Sequence, residues 1–402
     1  MLDDTVLDGG KVTADDLRAQ AAEFLAEHDP KTTDRQEFLN ARFDAGLAWV
    51  HYPAGLGGQG LPRSLQAVVD RAFTDAHAPT NHPERNGIGL GMAAPTILAH
   101  GSAEQKERWL RPLWTGEEIW CQLFSEPGAG SDLAGLSTRA VRDGDEWVVN
   151  GQKVWTSSAH MAKRALLVAR TDPDQPKHQG LTYFALDMKQ PGVEVRPLRQ
   201  ITGEAEFNEV FMTDARVADA DRIGGVGEGW QVSMATLMNE RVSIGGNATP
   251  REGGMIASAA RTWREHPELR TPGLHDRLLR LWAEAEVARI AGARLRQSLA
   301  AGQPGPEGSA AKLVFARLNQ EISEFEVELA GADGLLYDDW TMRRPEGANF
   351  FGRNPGFRFL RAKGNSIEGG TSEILRNIIA ERVLGLPKEA RVDTGPWKDL
   401  LR

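Results

Sequence analysis

The hydrophobic period of this 402-residue chain changes twice, and that order restricts the fold more than any single residue does. Residues 1–119 read as helices. "TADDLRAQAAEFLAEH" offers Thr13 as an N-cap, Asp15 and Asp16 in the first turn, and Leu17, Ala21, Phe24 and Leu25 at helical spacing. "PAGLGGQGLP" (53–62) breaks the pattern, which resumes at 64–77, at 88–99 and, behind a Ser102/Gln105 capping pattern, at 102–117. Residues 120–228 read as strand-like runs separated by turn residues, and "EWVVNGQKVWTS" reads as a hairpin turning at Asn150-Gly151. The helical period returns at Gly229 and persists to about 385, interrupted at 264–276, 301–310 and 331–357, as a helical bundle would require. The expected class is α+β in three parts: an N-terminal helical domain (1–119), a barrel or sandwich (120–228) and a C-terminal helical bundle (229–402).

Composition removes several functions. A net charge of −9 without a basic stripe argues against nucleic acid. The single cysteine, Cys121, excludes an intramolecular disulfide and a cysteine metal cluster, so no metal site is expected. No run approaches the roughly 18–20 apolar residues that span a bilayer, and the acidic start "MLDDTVLDGG" is not a secretory signal. A soluble, cytoplasmic protein is the expectation.

Within "GWQVSMATLMNERVSIGGN" a Glu–Arg pair interrupts apolar, small and amide residues. On a helix, Trp230, Met234, Leu237 and Arg241 share one face, while 233, 236, 240, 243 and 247 carry Ser, Thr, Glu, Ser and Asn along another. That second stripe is either a solvated face or a groove into which Glu240 projects as a base. Periodicity leaves both open. "QLFSEPGAGSDLAG" (122–135) has the composition of an anion-binding nest, with Ser125 and Ser131 as added donors, but lacks the glycine spacing and βαβ setting of a dinucleotide fingerprint.

"FSEPGAGSDLAG", "VNGQKVWTSSA" and "EGGTSEILRNIIAERVLG", in that order, resemble the acyl-CoA dehydrogenase family, as do "APTILAHGSAEQKERWL" and "GWQVSMATLMNER"; the resemblance covers nearly the whole chain. It implies an N-terminal helical domain, a middle β-barrel and a C-terminal four-helix bundle, with FAD between barrel and bundle and an acyl-CoA thioester against the flavin. Position by position, it implies that Gln122 and Ser125 meet the flavin ring and that Trp155 lies beside it. It places the Ser157 hydroxyl near flavin N5, Ser131 towards the pyrophosphate and the substrate, and Thr371 and Glu373 at cofactor contacts.

The implied reaction removes the α-proton with a carboxylate while hydride leaves the β-carbon. In one family solution the base immediately precedes Gly-Thr; in the other it precedes an arginine on the first long bundle helix. Here Gly369 precedes Gly370-Thr371 and Glu368 stands one position too early, so the resemblance favours Glu240, with Glu368 as runner-up and Arg241 near the CoA. Two family features are missing. No R-x-x-F-G follows the first bundle helix, and "ELAGADG", with Glu328, stands where a glutamine and G-G-N-G are usual.

Those departures fall where a neighbouring subunit usually contributes, so either a homo-oligomer or a hetero-oligomer with a second chain of the same kind is implied. The expected activity is that of an oxidoreductase of fatty acid or lipid metabolism passing electrons to an electron-transfer flavoprotein. The alternatives are an acyl-CoA oxidase, another flavoenzyme of the same fold, or a flavin-poor subunit of a hetero-oligomeric dehydrogenase. The small residues at 233, 236 and 243 would admit a bulky or branched acyl group.

Overall fold

The computed structural model describes residues 12–245, 250–300, 307–337, 339–346 and 353–400, without the side chains of 241–245 and 299–300. The described part of Met1–Pro83, with Ala103–Glu118, forms one compact unit. It contains α1 (Ala14–Glu27), α2 (Arg35–Asp44) and α3 (Gln66–Asp75). α1 opens on a capping box: the Asp16 amide donates to Thr13 Oγ1 at 3.2 Å and the Thr13 amide to Asp16 Oδ2 at 2.7 Å. Leu17, Ala21 and Phe24, on one face of that helix, pack with Phe38 and Phe73.

A second compact unit comprises Glu84–Ser102 and Ile119–Arg402. Residues 84–102, which the sequence groups with the N-terminal helices, supply it with a π-helical turn (Gly89–Ala93) running into α4 (Ala94–His100). α5 (Ala103–Thr115) returns to the first unit. The sheet of the second unit is built from β1 (Trp120–Leu123), β2 (Arg139–Asp143), β3 (Glu146–Ser157), β4 (Arg164–Arg170), β5 (Leu181–Asp187), β6 (Val193–Pro197) and β7 (Phe207–Ala218). Its order is β1-β4-β2-β3-β7-β6, with β5 paired to β4, and its concave side encloses an apolar core that includes Trp147, Leu167, Phe184 and Val210.

One expectation is corrected here. "EWVVNGQKVWTS" is not a hairpin but the single long strand β3, and the β2–β3 turn lies at Gly144-Asp145, between the paired residues Asp143 and Glu146. Asn150 is held in the strand by cross-strand bonds instead: its Nδ2 donates to Asp214 Oδ1 and its Oδ1 accepts from the Asp214 amide, each at 3.0 Å. Gly151 is required by close approach rather than by a turn, because a Cβ there would lie 2.3 Å from Thr138 Oγ1.

β4 and β5 are buried along almost their whole length. On β5, Phe184 and Leu186 point into the sheet's own core, while Tyr183 points the other way, onto a helix. That helix is α6 (Gly229–Gly245), whose first residue lies so close to β5 that a Cβ on Gly229 would approach the Leu181 and Thr182 backbone to 2.7 Å. Then follow α7 (Met255–Glu265), α8 (Pro272–Ala300), α9 (Glu307–Leu329), α10 (Pro355–Ala362) and α11 (Ser372–Ile378). α7, α8 and α9 share an apolar core containing Ile256, Leu281, Ile322 and Phe325. Among the described residues, no helix is long and apolar enough to cross a membrane.

The loop after β1 is organised by a buried ion pair that its glycines conceal. Lys153, wholly buried on β3, donates to Glu126 Oε1 at 2.8 Å and to the Phe124 carbonyl at 2.9 Å. Glu126 also accepts from the amides of Ser137 and Thr138. The loop is therefore not the expected nest. Within 122–135 no residue has the left-handed backbone that a nest alternates with right-handed residues, and the Glu126 and Ala129 amides are spent on each other's carbonyls.

Burial works to raise the Glu126 pKa, but Lys153 and the amide donors outweigh it and hold the group below its ordinary 4.5. Its contribution to stability is thus complete above that value and is lost as pH falls through the lower folded pKa. Replacing Lys153 by Met would strand the carboxylate, costing about 3–5 kcal/mol at neutral pH. Urea unfolding should show this, with a deficit that narrows once acid protonates Glu126.

Candidate functional site at the sheet and helix junction

The α6 stripe is neither a solvated face nor, in its first half, a groove. Ser233 and Thr236 are both 0% exposed. Ser233 Oγ donates to the Gly229 carbonyl at 2.7 Å. The Thr236 hydroxyl donates to the Val232 carbonyl at 3.1 Å and lies 2.9 Å from both Thr96 Oγ1 on α4 and the Tyr183 hydroxyl on β5. A polar stripe can face inward here because each hydroxyl finds a partner. The small side chains at 233 and 236 therefore serve a packing seam and do not provide room for an acyl group. Ser243 and Asn247 lie outside the described side chains, as does that of Arg241.

Glu240 follows Thr236 by one turn on the same face and is half-buried. α9, which packs on α6, carries Lys312, 1% exposed. Lys312 Nζ donates to the carbonyls of Asn365 and Gly370, each at 2.7 Å. It thereby grips both ends of the turn that carries Glu368, where Gly369 and Gly370 adopt φ of +64° and +93°.

Glu368 has both oxygens engaged. Arg361 Nη1 and Asn365 Nδ2 donate to Oε1 at 3.2 and 2.6 Å, and Arg361 Nη2 donates to Oε2 at 2.9 Å. Arg361 also meets Glu206 at 3.3 Å and lies over the Phe207 ring, linking the turn to the start of β7. Burial, with Glu204 and Glu368 nearby, raises the Glu206 pKa above its ordinary value despite Arg361.

Phe207 leads to the sheet's part of the site. The Trp155 ring stands edge-on to it at 5.9 Å, and Ser157 is its ladder partner. Trp155 is 58% exposed and has φ of +61°, a conformation that costs a non-glycine residue about 1–3 kcal/mol. An apolar ring held in strained backbone and left uncovered marks a surface prepared for a flat ligand. Ser125 adjoins it, because the Val154 amide donates to the Ser125 carbonyl at 2.9 Å. On β1, Gln122 Oε1 is buried with no partner among the described residues. An uncovered indole on β3 and an orphaned buried acceptor on β1 fit a ring that carries both a flat face and an N–H donor.

Other positions diverge. Thr371 caps α11, accepting from the Ile374 amide at 3.3 Å. Glu373 faces solvent and pairs with Arg376. Ser131 is exposed in the loop beside Asp132, which Lys177 holds at 2.7 Å. Sequence reasoning overlooked Lys312, Arg361, Glu206 and the Lys153–Glu126 pair. The available signal was periodic: Lys312 shares a helical stripe with the small residues Ser309 and Ala316, where an ammonium must be buried.

Comparison with known proteins identifies the family. Family models match residues 11–117 (acyl-CoA dehydrogenase, N-terminal domain), 121–215 (middle domain) and 227–384 (C-terminal domain). Acyl-CoA dehydrogenase FadE34 of Mycobacterium tuberculosis is 39% identical over 92% of this chain, which spans only 49% of that longer relative. Acyl-CoA dehydrogenase IpdE1 of the same organism is 39% identical, with 86% of each chain covered. The crystal structure of the ChsE4-ChsE5 complex from Mycobacterium tuberculosis is similar at 26% identity and a TM-score of 0.65, covering 96% of this chain and 100% of that one. The chain belongs to the acyl-CoA dehydrogenase family.

Proposed function

We propose that this protein is an FAD-dependent acyl-CoA dehydrogenase that converts an acyl-CoA thioester to the trans-2-enoyl-CoA, with Glu240 as the base for the α-proton. The observation that carries the choice of base is the place of Glu240 on α6, one turn beyond the Thr236 hydroxyl that fixes that helix against the sheet. Glu368, whose two oxygens already accept from Arg361 and Asn365, would have to break charge-assisted bonds before taking a proton. Glu240 stands on a helix fixed against the sheet and packed on α9, the helix whose Lys312 holds the same turn.

FAD, when bound, supplies the two-electron acceptor for the hydride that leaves the β-carbon. Gln122, Ser125, Trp155 and Ser157 would hold its ring, and Thr371 lies beside the turn that closes the site. Ser131 and Arg241 belong to the reading as substrate contacts, Ser131 also serving the cofactor. Glu373 stays in it as a cofactor contact only if it leaves Arg376. The amides of Gly369 and Gly370 donate to no acceptor among the described residues, which suits them to the thioester oxygen as negative charge develops there.

The same fold could hold an oxidase, but nothing at the site favours that reading. An unlike partner subunit has a specific observation behind it. Leu335, Leu336, Trp340 and Met342 are all exposed just after Gly331-Ala332-Asp333-Gly334, the segment that departs from the family pattern. Glu328, the unexpected acid there, is paired with Arg277 of α8 and so is kept from opposing a phosphate. An electron-transfer flavoprotein is the proposed acceptor.

Glu240→Gln should retain flavin yet lose about 10²–10⁴-fold in the anaerobic rate of flavin bleaching by acyl-CoA. Glu368→Gln should still bleach, at reduced thermal stability. The opposite pair of results would move the base to Glu368. The protein purified alone should bind less than one FAD per chain and reach full occupancy only with its partner; a homo-oligomer with one FAD per chain rules out the unlike-partner reading.

A further inference from the structure

Beyond α11 the chain leaves the bundle and returns to the sheet. Residues 391–398 run along the connection between β4 and β5 (171–180), with Pro396 bridged to Pro176. The Trp397 amide donates to the Gln175 carbonyl at 2.9 Å and the Lys398 amide to the Pro173 carbonyl at 3.0 Å. Lys398 Nζ meets Asp174 at 2.6 Å. Those bonds fix the segment on the connection. Two of its side chains reach past it, to the limb of the β1 loop that follows Ser131.

Trp397 is 9% exposed, and its indole N–H donates to the Gly135 carbonyl at 3.3 Å. The centre of the same ring lies 4.3 Å from the guanidinium carbon of Arg170, a cation–π contact. Arg170 is itself buried and donates to the carbonyls of Ala134, Leu136 and Lys177 at 2.6, 3.3 and 3.0 Å. Lys177 carries the second link. Its buried ammonium lies 2.7 Å from Asp132 and 2.5 Å from Asp393, so one cation ties the residue after Ser131 to the returning segment. Arg391 and Lys177 hold the Asp393 carboxyl well below the usual carboxylate range, which keeps that link charged at neutral pH.

Ahead of Ser131 the loop is secured differently, by Lys153 and Glu126. Ser131 stands exposed between the two anchors. We propose that the segment bearing Asp393 and Trp397 is a positioning clasp: it sets the Asp132–Gly135 limb, and through it the Ser131 hydroxyl, for the coenzyme A part of the substrate. The inference rests on the reading of Ser131 as a substrate contact. Apolar packing would suffice to dock a segment for stability alone. Here an N–H, a ring face and a carboxylate are all directed at groups that hold one loop. A ligand that meets a loop already held in place loses less affinity to ordering it.

The test is coenzyme A binding to the assembled, FAD-loaded enzyme, read by isothermal titration calorimetry. Free coenzyme A is the probe because the contact does not involve the acyl group. Trp397→Ala should weaken binding about tenfold, and Asp393→Asn, which leaves Lys177 with Asp132, about threefold. Trp397→Phe keeps a ring over Arg170 and should recover most of the loss. Ser131→Ala should weaken binding too, and adding Trp397→Ala to it should cost little more, since both changes act through one hydroxyl.

A segment that only stabilises the fold predicts a lower unfolding temperature for Trp397→Ala with wild-type affinity for coenzyme A. That result would overturn the proposal. So would a double variant whose losses multiply, because the two groups would then act independently. Ser131→Ala separates the two readings. If it binds coenzyme A as the wild type does, the reading of Ser131 fails and the clasp with it. If it is weakened while the Trp397 and Asp393 variants are not, only the clasp fails. Should Trp397→Ala not fold, Asp393→Asn decides, since that side chain is partly exposed and its change leaves no cavity: weakened binding supports the clasp, and unchanged binding rejects it.

Discussion

The placement of every candidate group on the helical side of the site depends on how α6 sits on the sheet. The contact begins at Gly229, where β5 leaves no room for a side chain, and continues through the hydrogen-bonded hydroxyls of Tyr183, Thr236 and Thr96. Such a seam is directional in a way that an apolar one is not. Leucines can slide past one another, but a Thr236 hydroxyl 2.9 Å from each of two buried hydroxyls is satisfied at one rotation and one depth of the helix. One turn further on, that setting determines where Glu240 is presented.

A second constraint is the use of buried charge to join elements of different kinds. Lys153 and Glu126 fasten the β1 loop beneath the strand that carries Trp155. Arg361 spans from Glu206 and Phe207 on the sheet side to Glu368 in the turn, and Lys312 spans from α9 to the same turn. Each of these pairs loses hydration when buried, so as sources of stability they are inferior to packed leucines. What they provide is registry: a misplaced partner would leave an uncompensated charge in a poorly solvated interior. A site assembled from a strand end, a loop, two helices and a glycine turn needs that registry more than it needs extra stability. The strain at Trp155 is tolerable for the same reason, because the surrounding ladder leaves the strand no alternative path.

The chain order of helix, strand and helix was readable directly, since hydrophobic period follows local backbone geometry and requires no knowledge of neighbours. Thr13 and Asp16 announced a helix start for the same reason. The three ordered motifs carried the family resemblance and named Gln122, Ser125, Trp155 and Ser157, which the fold brings to one sheet end. Asn150-Gly151 was misleading. A turn dipeptide was read from local propensity, but cross-strand bonds to Asp214 and the close approach of Thr138 hold it extended, and neither is visible along the chain. The glycines of 122–135 misled similarly, because their purpose could be read only once Lys153 was known to lie beneath them.

The sequence by itself determined the elements, their order, the family, and the two carboxylates from which a base would have to be chosen. The tertiary structure decided which face of α6 is inside and that Glu368 is forked by Arg361 and Asn365. It also decided that two lysines, Lys153 and Lys312, are core residues. The division has a physical cause. Periodicity and propensity are properties of a few consecutive residues, whereas desolvation and charge pairing depend on groups brought together from distant parts of the chain. Lys312 is 58 residues from Gly370. Only folding turns that separation into a bond.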